Sequence, residues 1–247
     1  MIQLKNVSKI FDGKKALDNI NMEIRDGETL AIIGGSGSGK STLLRLLIGL
    51  IQPTSGEILM NGEDIGRMSE DELQRIRLRM GMVFQYSALF DSMTVGENVA
   101  FGLVEHTDYS KEKIEAIVRE KLNLVGLENV EHLMPNELSG GMKKRVSLAR
   151  AIAVNPEIIF YDEPSSGLDP IMTEKIDELI TSTQKAMNVT SVVVTHDMAS
   201  ACRIADRIAM IYEGKLIAVD TAERFQKIQD PRVQAFFHTL RTEKGAG

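Results

Sequence analysis

Glycines, a lysine and hydroxyl-bearing residues stand together near residue 40 in a pattern suited to binding phosphate. The run Gly-Gly-Ser-Gly-Ser-Gly-Lys-Ser fits G-x-x-x-x-G-K-[ST] at every fixed position. Glycines let backbone N–H groups turn towards phosphate oxygens, and the start of a following helix adds a positive dipole end. We expect Lys40 to reach the β- and γ-phosphates and Ser41 to bind Mg²⁺. The predicted nucleotide contacts are Gly34, Gly35, Ser36, Gly37, Ser38, Gly39, Lys40, Ser41 and Thr42.

The segments on either side of this loop are those that phosphate binding needs. Residues 29–33 form a short apolar run, which predicts a buried strand, and residues 42–48 predict a helix packed on a sheet. A flexible Gly/Ser turn is the plainer interpretation, but it explains neither the terminal Lys-Ser pair nor these flanking elements. The arrangement of strand, glycine loop and helix therefore predicts ATP or a similar nucleotide as the ligand.

A second set of chemical groups follows the apolar run at residues 158–161. This run predicts a buried strand that carries Asp162 and Glu163 at its carboxyl end, the edge of an α/β sheet at which ligands bind. We expect Asp162 to hold Mg²⁺ through its water shell and Glu163 to polarise the attacking water. The alternative is a strand that ends in acids by chance. The phosphate loop alone leaves kinase, GTPase, helicase and transporter ATPase open, and the acid pair is the first of four further segments that narrow this choice.

The elements that must position these groups predict an α/β fold. The early strands are separated by turn pairs that suit antiparallel pairing, namely Asp12-Gly13, Asp26-Gly27 and Asn61-Gly62. The later strands alternate with helices, which suits a parallel sheet. Strands are predicted at Ile2–Val7, Asn21–Ile24, Thr29–Ile33, Glu57–Met60, Met80–Phe84, Ile158–Asp162, Ser191–Thr195, Arg207–Tyr212 and Lys215–Val219.

Helical signals dominate the middle of the chain. Thr94 begins a capping box, residues 111–124 have apolar side chains near helical spacing, and Asp169-Pro170 predicts the start of a helix that runs to Met187. We expect one domain over residues 1–247. Within it, a β subdomain and nucleotide-binding core occupy 1–86 and 154–228, a helical subdomain occupies 87–153, and an extension occupies 229–247.

Composition narrows the function classes. The 247 residues carry a net charge of −6, which argues against a general nucleic-acid binder with a basic stripe. Cys202 is the only cysteine, so no internal disulfide and no zinc cluster of cysteines is expected. No apolar run approaches the roughly 18 residues that span a bilayer, and the N-terminus lacks a signal-peptide pattern. These features suit a protein of the reducing cytoplasm.

Leu138-Ser-Gly-Gly-Met142 precedes a basic helix predicted over Lys143–Ala153. This run resembles the signature motif of ATP-binding cassette (ABC) ATPases, and it stands ahead of the acid pair at that family's spacing. A serine, glycine N–H groups and a helix N-terminus form an anion site. Alone, such a turn is more often a helix cap. The resemblance implies that Ser139, Gly140 and Gly141 bind the ATP held by an opposite subunit.

Other segments match the family residue by residue, and the resemblance runs from Ile2 to about Val219. It implies that Gln85 contacts Mg²⁺ and the attacking water, that His196 contacts the γ-phosphate, and that Asp169 lies in the loop that crosses the dimer interface. Phe11 stands where the family places an aromatic residue, usually Tyr, that stacks on adenine. A surface Gln, a structural His and an ordinary core Phe are the plainer interpretations. The resemblance implies an ABC ATPase with a RecA-like core, acting as a homodimer that closes on ATP.

The stretch Phe84–Phe101 and the Met at position 142 resemble the ATPases of Mla-type phospholipid transport systems. Most cassettes have Gln at the position of Met142. The resemblance implies membrane permease subunits, an MCE-domain lipid-binding protein, a small accessory protein, and a peripheral location on the cytoplasmic face of the inner membrane. It also implies phospholipid transport for outer-membrane lipid asymmetry, with Leu89 and Phe90 lining the groove for the permease. An amino-acid or methionine importer ATPase and a non-transport ABC ATPase are the alternatives.

Overall fold

The computed structural model describes residues 1–244 and the side chains of residues 1–237. The chain forms two compact units. The first comprises Met1–Arg75 and the chain from Thr190 onward, and the second comprises Ile76–Val189. The helical segment predicted over 87–153 lies inside the second unit, and the subdomain boundaries stay predictions.

The first unit contains two sheets with short helices. One sheet is antiparallel, with strands in the order β2-β1-β4-β5, and β10, β9, β3 and β8 are neighbours in that order in the other. Its elements are β1 (Ile2–Phe11), β2 (Lys14–Ile24), β3 (Thr29–Ile33), α1 (Lys40–Leu47), β4 (Ser55–Met60), β5 (Glu63–Asp64), α2 (Glu70–Arg77, which crosses into the second unit), β8 (Thr190–Thr195), α7 (Met198–Ile204), β9 (Arg207–Tyr212), β10 (Lys215–Thr221), α8 (Ala222–Phe225) and α9 (Pro231–Lys244).

The first two strands, β1 and β2, are longer than predicted. Bulges interrupt the alternation of buried and exposed side chains on which the predicted strand ends depended. The pairing of β1 with β2 changes register three times between Leu4 and Ile10. The hairpin turn lies at Asp12 and Gly13, both with positive φ, as tight hairpin turns require. The prediction that Asp26-Gly27 joins an antiparallel pair is wrong, since β2 and β3 lie in different sheets. All five residues of β3 are buried, which is typical of a strand in a parallel sheet rather than a half-exposed hairpin strand.

The predicted parallel pairing around β3 is confirmed. Within the first unit, β3 runs parallel to both β8 and β9, and Ile33 is paired with Thr195 and Met210. The carboxyl ends of these strands therefore lie at one edge of the sheet. Whatever follows Ile33 and Thr195 in the chain is delivered to this edge.

The C-terminal extension packs against its own unit. Val233 of α9 is fully buried in a cluster with Phe225, Met198 and Met210, and further apolar side chains of α9 cover the cluster. The rings of Phe225 and Phe237 lie 6.4 Å apart. Val233, Phe236 and Phe237 make up an apolar stripe on α9. Within the described residues, the stripe contributes to the chain's own core.

Cys202 lies at the margin of the same cluster. It is a free cysteine, and burial raises the pKa of its thiol. None of the helices within residues 1–244 is both long enough and apolar enough to cross a membrane.

The second unit combines a pair of parallel strands with helices. The strands β6 and β7 pair with Met80 opposite Ile158 and Val83 opposite Tyr161. Side-chain caps begin the helices: Thr94 and Glu97 form the predicted capping box, and Ser139 and Asp169 accept hydrogen bonds from the first turns of two others. The elements are β6 (Met80–Val83), α3 (Val95–His106), α4 (Lys111–Leu124), α5 (Gly140–Ile152), β7 (Ile158–Asp162) and α6 (Pro170–Met187).

Candidate functional site

The glycine-rich loop leaves β3 and ends in α1, as the sequence predicts. Lys40 is the first residue of α1, and its ammonium donates hydrogen bonds to the carbonyl oxygens of Gly34 (2.7 Å) and Gly35 (3.0 Å). Ser36 and Gly37 form the exposed tip of the loop, whereas Ser38 is buried. The loop thus wraps around the lysine ammonium, which lies at the centre of its curve. Ser41 is exposed and Thr42 half-buried in the first turn of α1.

The glycines of this loop are required where the backbone is approached closely. Gly39 has φ of +113°, and a Cβ there would lie 2.7 Å from the Ala16 carbonyl oxygen of β2. A Cβ on Gly34 would collide with the Ile211 carbonyl oxygen of β9. The loop is therefore fixed between two strands of its own unit. These close approaches hold the backbone amide groups of the loop in place.

His196 reaches the same edge of the sheet as the loop. It follows Thr195 directly and its side chain is exposed, while Gly34 follows Ile33, the partner of Thr195. Asp197 holds the turn after it by accepting hydrogen bonds from the backbone N–H groups of Ala199 and Ser200. The first unit therefore brings together the glycine loop and the histidine that the sequence singled out.

Phe11 ends β1, and its ring is 43% exposed. The ammonium of Lys9 lies 5.0 Å from the ring centroid. An exposed aromatic face is free to stack, so the interpretation of Phe11 as a buried core residue is wrong. Because β2 passes beside Gly39, the hairpin that carries Phe11 is part of the same unit as the loop.

The predicted acids and Gln85 meet at one edge of the second unit. Asp162 ends β7 and Glu163 follows it, while Gln85 comes two residues after Val83 of the paired strand β6. The side-chain amide of Gln85 donates to the Ser166 hydroxyl at 3.2 Å. Asp162 and Glu163 are each half-buried. Two carboxylates and one amide are thus presented side by side.

Backbone strain marks this edge. Glu163 has φ of +48°, a left-handed conformation that costs a non-glycine residue about 1–3 kcal/mol and that clusters at functional sites. The Lys144 ammonium, from α5, donates to the Gln85 carbonyl oxygen. Burial lowers the pKa of Lys144, and the nearby charge of Glu163 opposes that shift. Lys144 therefore contacts the Gln85 backbone and acts electrostatically on Glu163.

Lys144 has a role that the sequence prediction missed. The run Lys143-Lys144-Arg145 predicts only a basic helix start. The burial of Lys144 is nevertheless indicated by its spacing, because it stands three residues after Gly141 and four before Leu148, on the buried face of α5. A lysine on the buried face of a helix needs a polar partner.

The serine-glycine turn begins α5. The Ser139 hydroxyl accepts from the Met142 N–H at 3.3 Å, so this serine is a helix cap, and both Ser139 and Gly140 are exposed. Gly141 is buried, and a Cβ there would collide with the terminal methyl of Met172. Asp169 is exposed and caps α6 by accepting from the Met172 N–H at 3.0 Å. Two exposed helix starts, at Ser139 and Asp169, thus belong to the same unit.

An exposed apolar patch surrounds the segment that follows Gln85. Tyr86 is 87% exposed, Phe90 is 41% exposed and Leu89 is half-buried. The ring of Phe90 lies 4.8 Å from that of Phe101 on α3. Aromatic side chains that cluster on a surface are typical of a protein contact. We call residues 86–92 the docking segment.

A family model for ABC transporters matches residues 17–166. The chain belongs to this family. The chain is the ATPase of an ABC transporter, and its activity is ATP hydrolysis. Its mixed α/β fold agrees with that of solved ABC cassettes.

Individual relatives extend the match over nearly the whole chain. The chain is 45% identical, over 96% of its length and 89% of the relative's, to an intermembrane phospholipid transport system ATP-binding protein, MlaF, of Haemophilus influenzae. It is 46% identical to the methionine import ATP-binding protein MetN of Carboxydothermus hydrogenoformans, over 88% of this chain and 65% of the relative. The dimeric post-hydrolysis structure of the cassette MJ0796 with ADP and Pi superposes with a TM-score of 0.82 at 36% identity, over 90% of this chain and 99% of that one.

Proposed function

We propose that this ATPase powers phospholipid transport between membranes, in a system like that of its MlaF relatives. The observation that carries the proposal is the match to MlaF over 96% of this chain and 89% of the relative. The Met at position 142 supports it, since most cassettes have Gln there. In this proposal the system maintains the lipid asymmetry of the outer membrane.

In this proposal, the predicted site residues of one chain act on one ATP. Lys40 and the loop amides bind the β- and γ-phosphates, and the exposed ring of Phe11 stacks on adenine. Glu163 accepts a proton from the attacking water, while Gln85 orients that water and His196 contacts the γ-phosphate. The strained backbone of Glu163 fixes the position of its carboxylate. The hydrogen bond from Lys144 to the Gln85 carbonyl oxygen holds the backbone of Gln85.

Mg²⁺ is proposed to accompany the nucleotide. Among the described residues, no group of three or more His, Cys, Asp or Glu side chains could hold a metal ion by itself. A nucleotide-bound Mg²⁺ needs only one or two protein groups because phosphate oxygens and waters supply the other ligands. The exposed Ser41 hydroxyl, the half-buried Asp162 carboxylate and Gln85 suit this role. Bound there, Mg²⁺ would neutralise charge on the phosphates.

Two chains would form the complete catalytic assembly. The start of α5, with Ser139 and Gly140 exposed and Gly141 buried behind them, supplies an anion site for the γ-phosphate of the opposite chain's ATP, and Asp169 lies at the dimer contact. Serine caps leave the other N–H groups of the first helical turn available to a ligand. ATP binding then closes the homodimer, and hydrolysis releases it.

The docking segment is proposed to receive a membrane permease. Leu89 and Phe90 offer apolar surface beside the Phe101 ring, and the segment follows Gln85 directly in the chain. Movement of the permease can thus displace Gln85, the residue proposed to orient the attacking water. In this arrangement the chain lies peripherally on the cytoplasmic face of the inner membrane. An MCE-domain lipid-binding protein and a small accessory protein complete the system, and no nucleic acid takes part.

Methionine or amino-acid import is the second candidate. The 46% identity to MetN favours it, although that match covers only 65% of the relative. A non-transport ABC ATPase is the third interpretation and has no specific observation in its favour.

Co-purification separates these candidates. The Glu163→Gln variant should hold ATP without hydrolysing it, so its complex can be extracted from membranes in mild detergent with ATP and Mg²⁺. We expect a permease, an MCE-domain protein and bound phospholipid. A permease with a solute-binding protein would instead support nutrient import, and the absence of any membrane partner would support the non-transport class.

Two variants control this experiment. Glu157→Gln changes an exposed glutamate that pairs with Arg79 away from the acid pair, and it should hydrolyse ATP at the normal rate. Lys40→Ala removes the ammonium from the glycine loop, so it should not retain the ATP-dependent dimer. Normal hydrolysis by Glu163→Gln would contradict the assignment of Glu163 as the general base.

A further inference from the structure

Helix α5 holds two loops through three basic side chains. Lys144 donates to the carbonyl oxygen of Gln85, and Arg145 donates to that of Val125 at 3.1 Å. Arg150 donates to the carbonyl oxygens of Ser87 at 2.9 Å and Ala88 at 2.6 Å. The helix that starts at the signature turn thus contacts the docking segment near its other end, through Arg150.

The Arg150 guanidinium is held by backbone dipoles. Its hydrogen-bond partners within residues 1–244 are carbonyl oxygens rather than a carboxylate, and burial lowers its pKa. The guanidinium carbon also lies 5.8 Å from the centroid of the Phe90 ring. The two terminal nitrogens of the planar guanidinium each bond one of these neighbouring carbonyls, whereas a lysine has a single nitrogen to offer both. Lysine at this position keeps the charge but not the planar pair of donors.

The backbone that Arg150 grips is strained. Ser87 and Ala88 have φ of +62° and +46°, and each left-handed non-glycine residue costs roughly 1–2 kcal/mol. Two such residues in succession persist only where their surroundings enforce the conformation. Arg150 supplies that enforcement because both of its acceptors are the carbonyls of these strained residues.

Asn98 fixes the other end of the segment. Its fully buried side chain accepts from the Phe90 N–H and donates to the carbonyl oxygens of Phe90, Met93 and Thr94. The docking segment is thus held by α3 on one side and by α5 on the other. The contact with Arg150 connects the segment directly to the helix that carries Ser139.

We propose that Arg150 is a positioning residue that transmits displacement of the docking segment to helix α5 and its signature turn. This inference rests on the proposed function, in which the docking segment receives a permease. When a partner moves Leu89 and Phe90, the strained turn at Ser87 and Ala88 moves with them. The guanidinium then pulls on α5, whose first residues bind the opposite chain's ATP. The link runs through hydrogen bonds rather than through the catalytic groups.

The first test is amide hydrogen exchange of the full chain. Arg150→Gln should speed exchange of the 86–93 amides by about tenfold or more, because it removes two hydrogen bonds from a charged donor to this segment. Arg145→Gln is the matched control: it removes a basic side chain from the same helix, but its acceptor is Val125. We expect it to speed exchange near residues 125–127 and to leave 86–93 unchanged. Equal exchange at 86–93 in both variants would overturn the proposal.

The second test measures ATP hydrolysis by the chain alone and in its membrane complex. Arg150→Gln should keep the basal rate and the ATP affinity of the isolated chain but lose most of the stimulation by the permease, and Arg150→Lys should restore part of it. Full stimulation in both variants would overturn the proposal even if local exchange is faster. If Arg150→Gln unfolds, Arg150→Lys is tested alone. Partial stimulation by the permease then supports the proposal, and full stimulation overturns it.

The double variant Leu89→Asp, Phe90→Asp tells the two proposals apart. If it retains normal stimulation, the docking surface itself is wrong, and the inference about Arg150 fails with it. If it loses stimulation while both Arg150 variants retain it, only the inference fails. Loss in the double variant and in Arg150→Gln, with partial rescue by Arg150→Lys, supports both.

Discussion

The phosphate loop predicts an ordered series of stabilities when its glycines are replaced by alanine one at a time. A Cβ at Gly35 meets no atom within 4 Å, and neither does one at Gly37, whose φ is +73°. A Cβ at Gly39 meets the Ala16 carbonyl oxygen at 2.7 Å and the Leu17 Cδ2 at 2.8 Å, with φ of +113°. An added Cβ therefore meets free space at Gly35 and causes backbone strain alone at Gly37. At Gly39 it causes both backbone strain and a collision.

The magnitudes follow from these differences. Gly35→Ala should stabilise by about 0.4–1 kcal/mol, because alanine restricts the unfolded chain. Gly37→Ala adds a left-handed penalty of about 1–2 kcal/mol and should destabilise by about 1 kcal/mol net. Gly39→Ala combines about 1–3 kcal/mol of strain with about 1–3 kcal/mol of overpacking, so a net loss of about 3 kcal/mol is expected.

Urea unfolding without nucleotide measures this series directly. Far-ultraviolet circular dichroism is the suitable signal because the chain contains no Trp. Gly39→Ala should also weaken ATP binding, since relief of the collision moves the amides at the start of α1. If Gly39→Ala unfolds at the same urea concentration as Gly37→Ala, the close approach of β2 to the loop is refuted. If Gly35→Ala is as unstable as Gly39→Ala, the whole argument from local space fails.

Three further perturbations test other parts of the structure. Val233→Ala removes two buried methyl groups from the α9 cluster and should lower the free energy of unfolding by about 2 kcal/mol, measured by the same urea titration. Asn98→Ala leaves buried groups around the docking segment unpaired and should cost about 3 kcal/mol, with faster amide exchange at 90–94; unchanged exchange would contradict its bracing role. The Arg232 guanidinium holds the pKa of Asp230 at about 2, so ionised Asp230 stabilises the start of α9 above its ordinary pKa of 3.8, and this contribution is lost as the pH falls towards 2. Arg232→Gln should move the NMR titration midpoint of the Asp230 carboxyl from about 2 towards 3.8, and an unmoved midpoint would refute the pairing.

Local signals account for the elements that could be predicted. The strand at Thr29–Ile33, the helix at Lys111–Leu124 and the capping box at Thr94 are confirmed at their predicted positions. Each is encoded within a few residues, by an apolar run, by helical spacing or by a reciprocal cap. The helix at the signature turn was predicted from Lys143 but begins at Gly140, because the Ser139 cap starts it earlier.

Elements without a strong local period were missed. The helix α7 (Met198–Ile204) is only seven residues long, and α2 (Glu70–Arg77) is nearly all polar, so neither shows a clear apolar stripe. The strand β5 has two residues and exists only because Asn61 and Gly62 turn the chain back. Elements this short or this polar contain too few apolar residues for a periodic pattern to predict them.

The same limit applies to the site. Patterns of a few residues located Lys40, Glu163 and Ser139 because each belongs to a short motif. The contact of Lys144 with the Gln85 carbonyl joins residues 59 positions apart, and that of Arg150 with Ser87 joins residues 63 apart. No spacing rule connects them. Their roles follow only from the packing that brings α5 against the loop after β6.

The state of Cys202 makes this chain unusually convenient for spectroscopy. The thiolate is the form that attacks thiol reagents, and burial beside the α9 cluster raises the pKa of this single cysteine. A cysteine introduced at an exposed position, such as that of Tyr86 or Ile171, keeps an ordinary pKa and reacts faster. Spin labels or fluorophores can therefore be attached at chosen sites without first replacing Cys202. The proposed closing of two cassettes on ATP can then be followed as a changing distance between labels, because the half-buried Cys202 thiol reacts more slowly than the introduced ones.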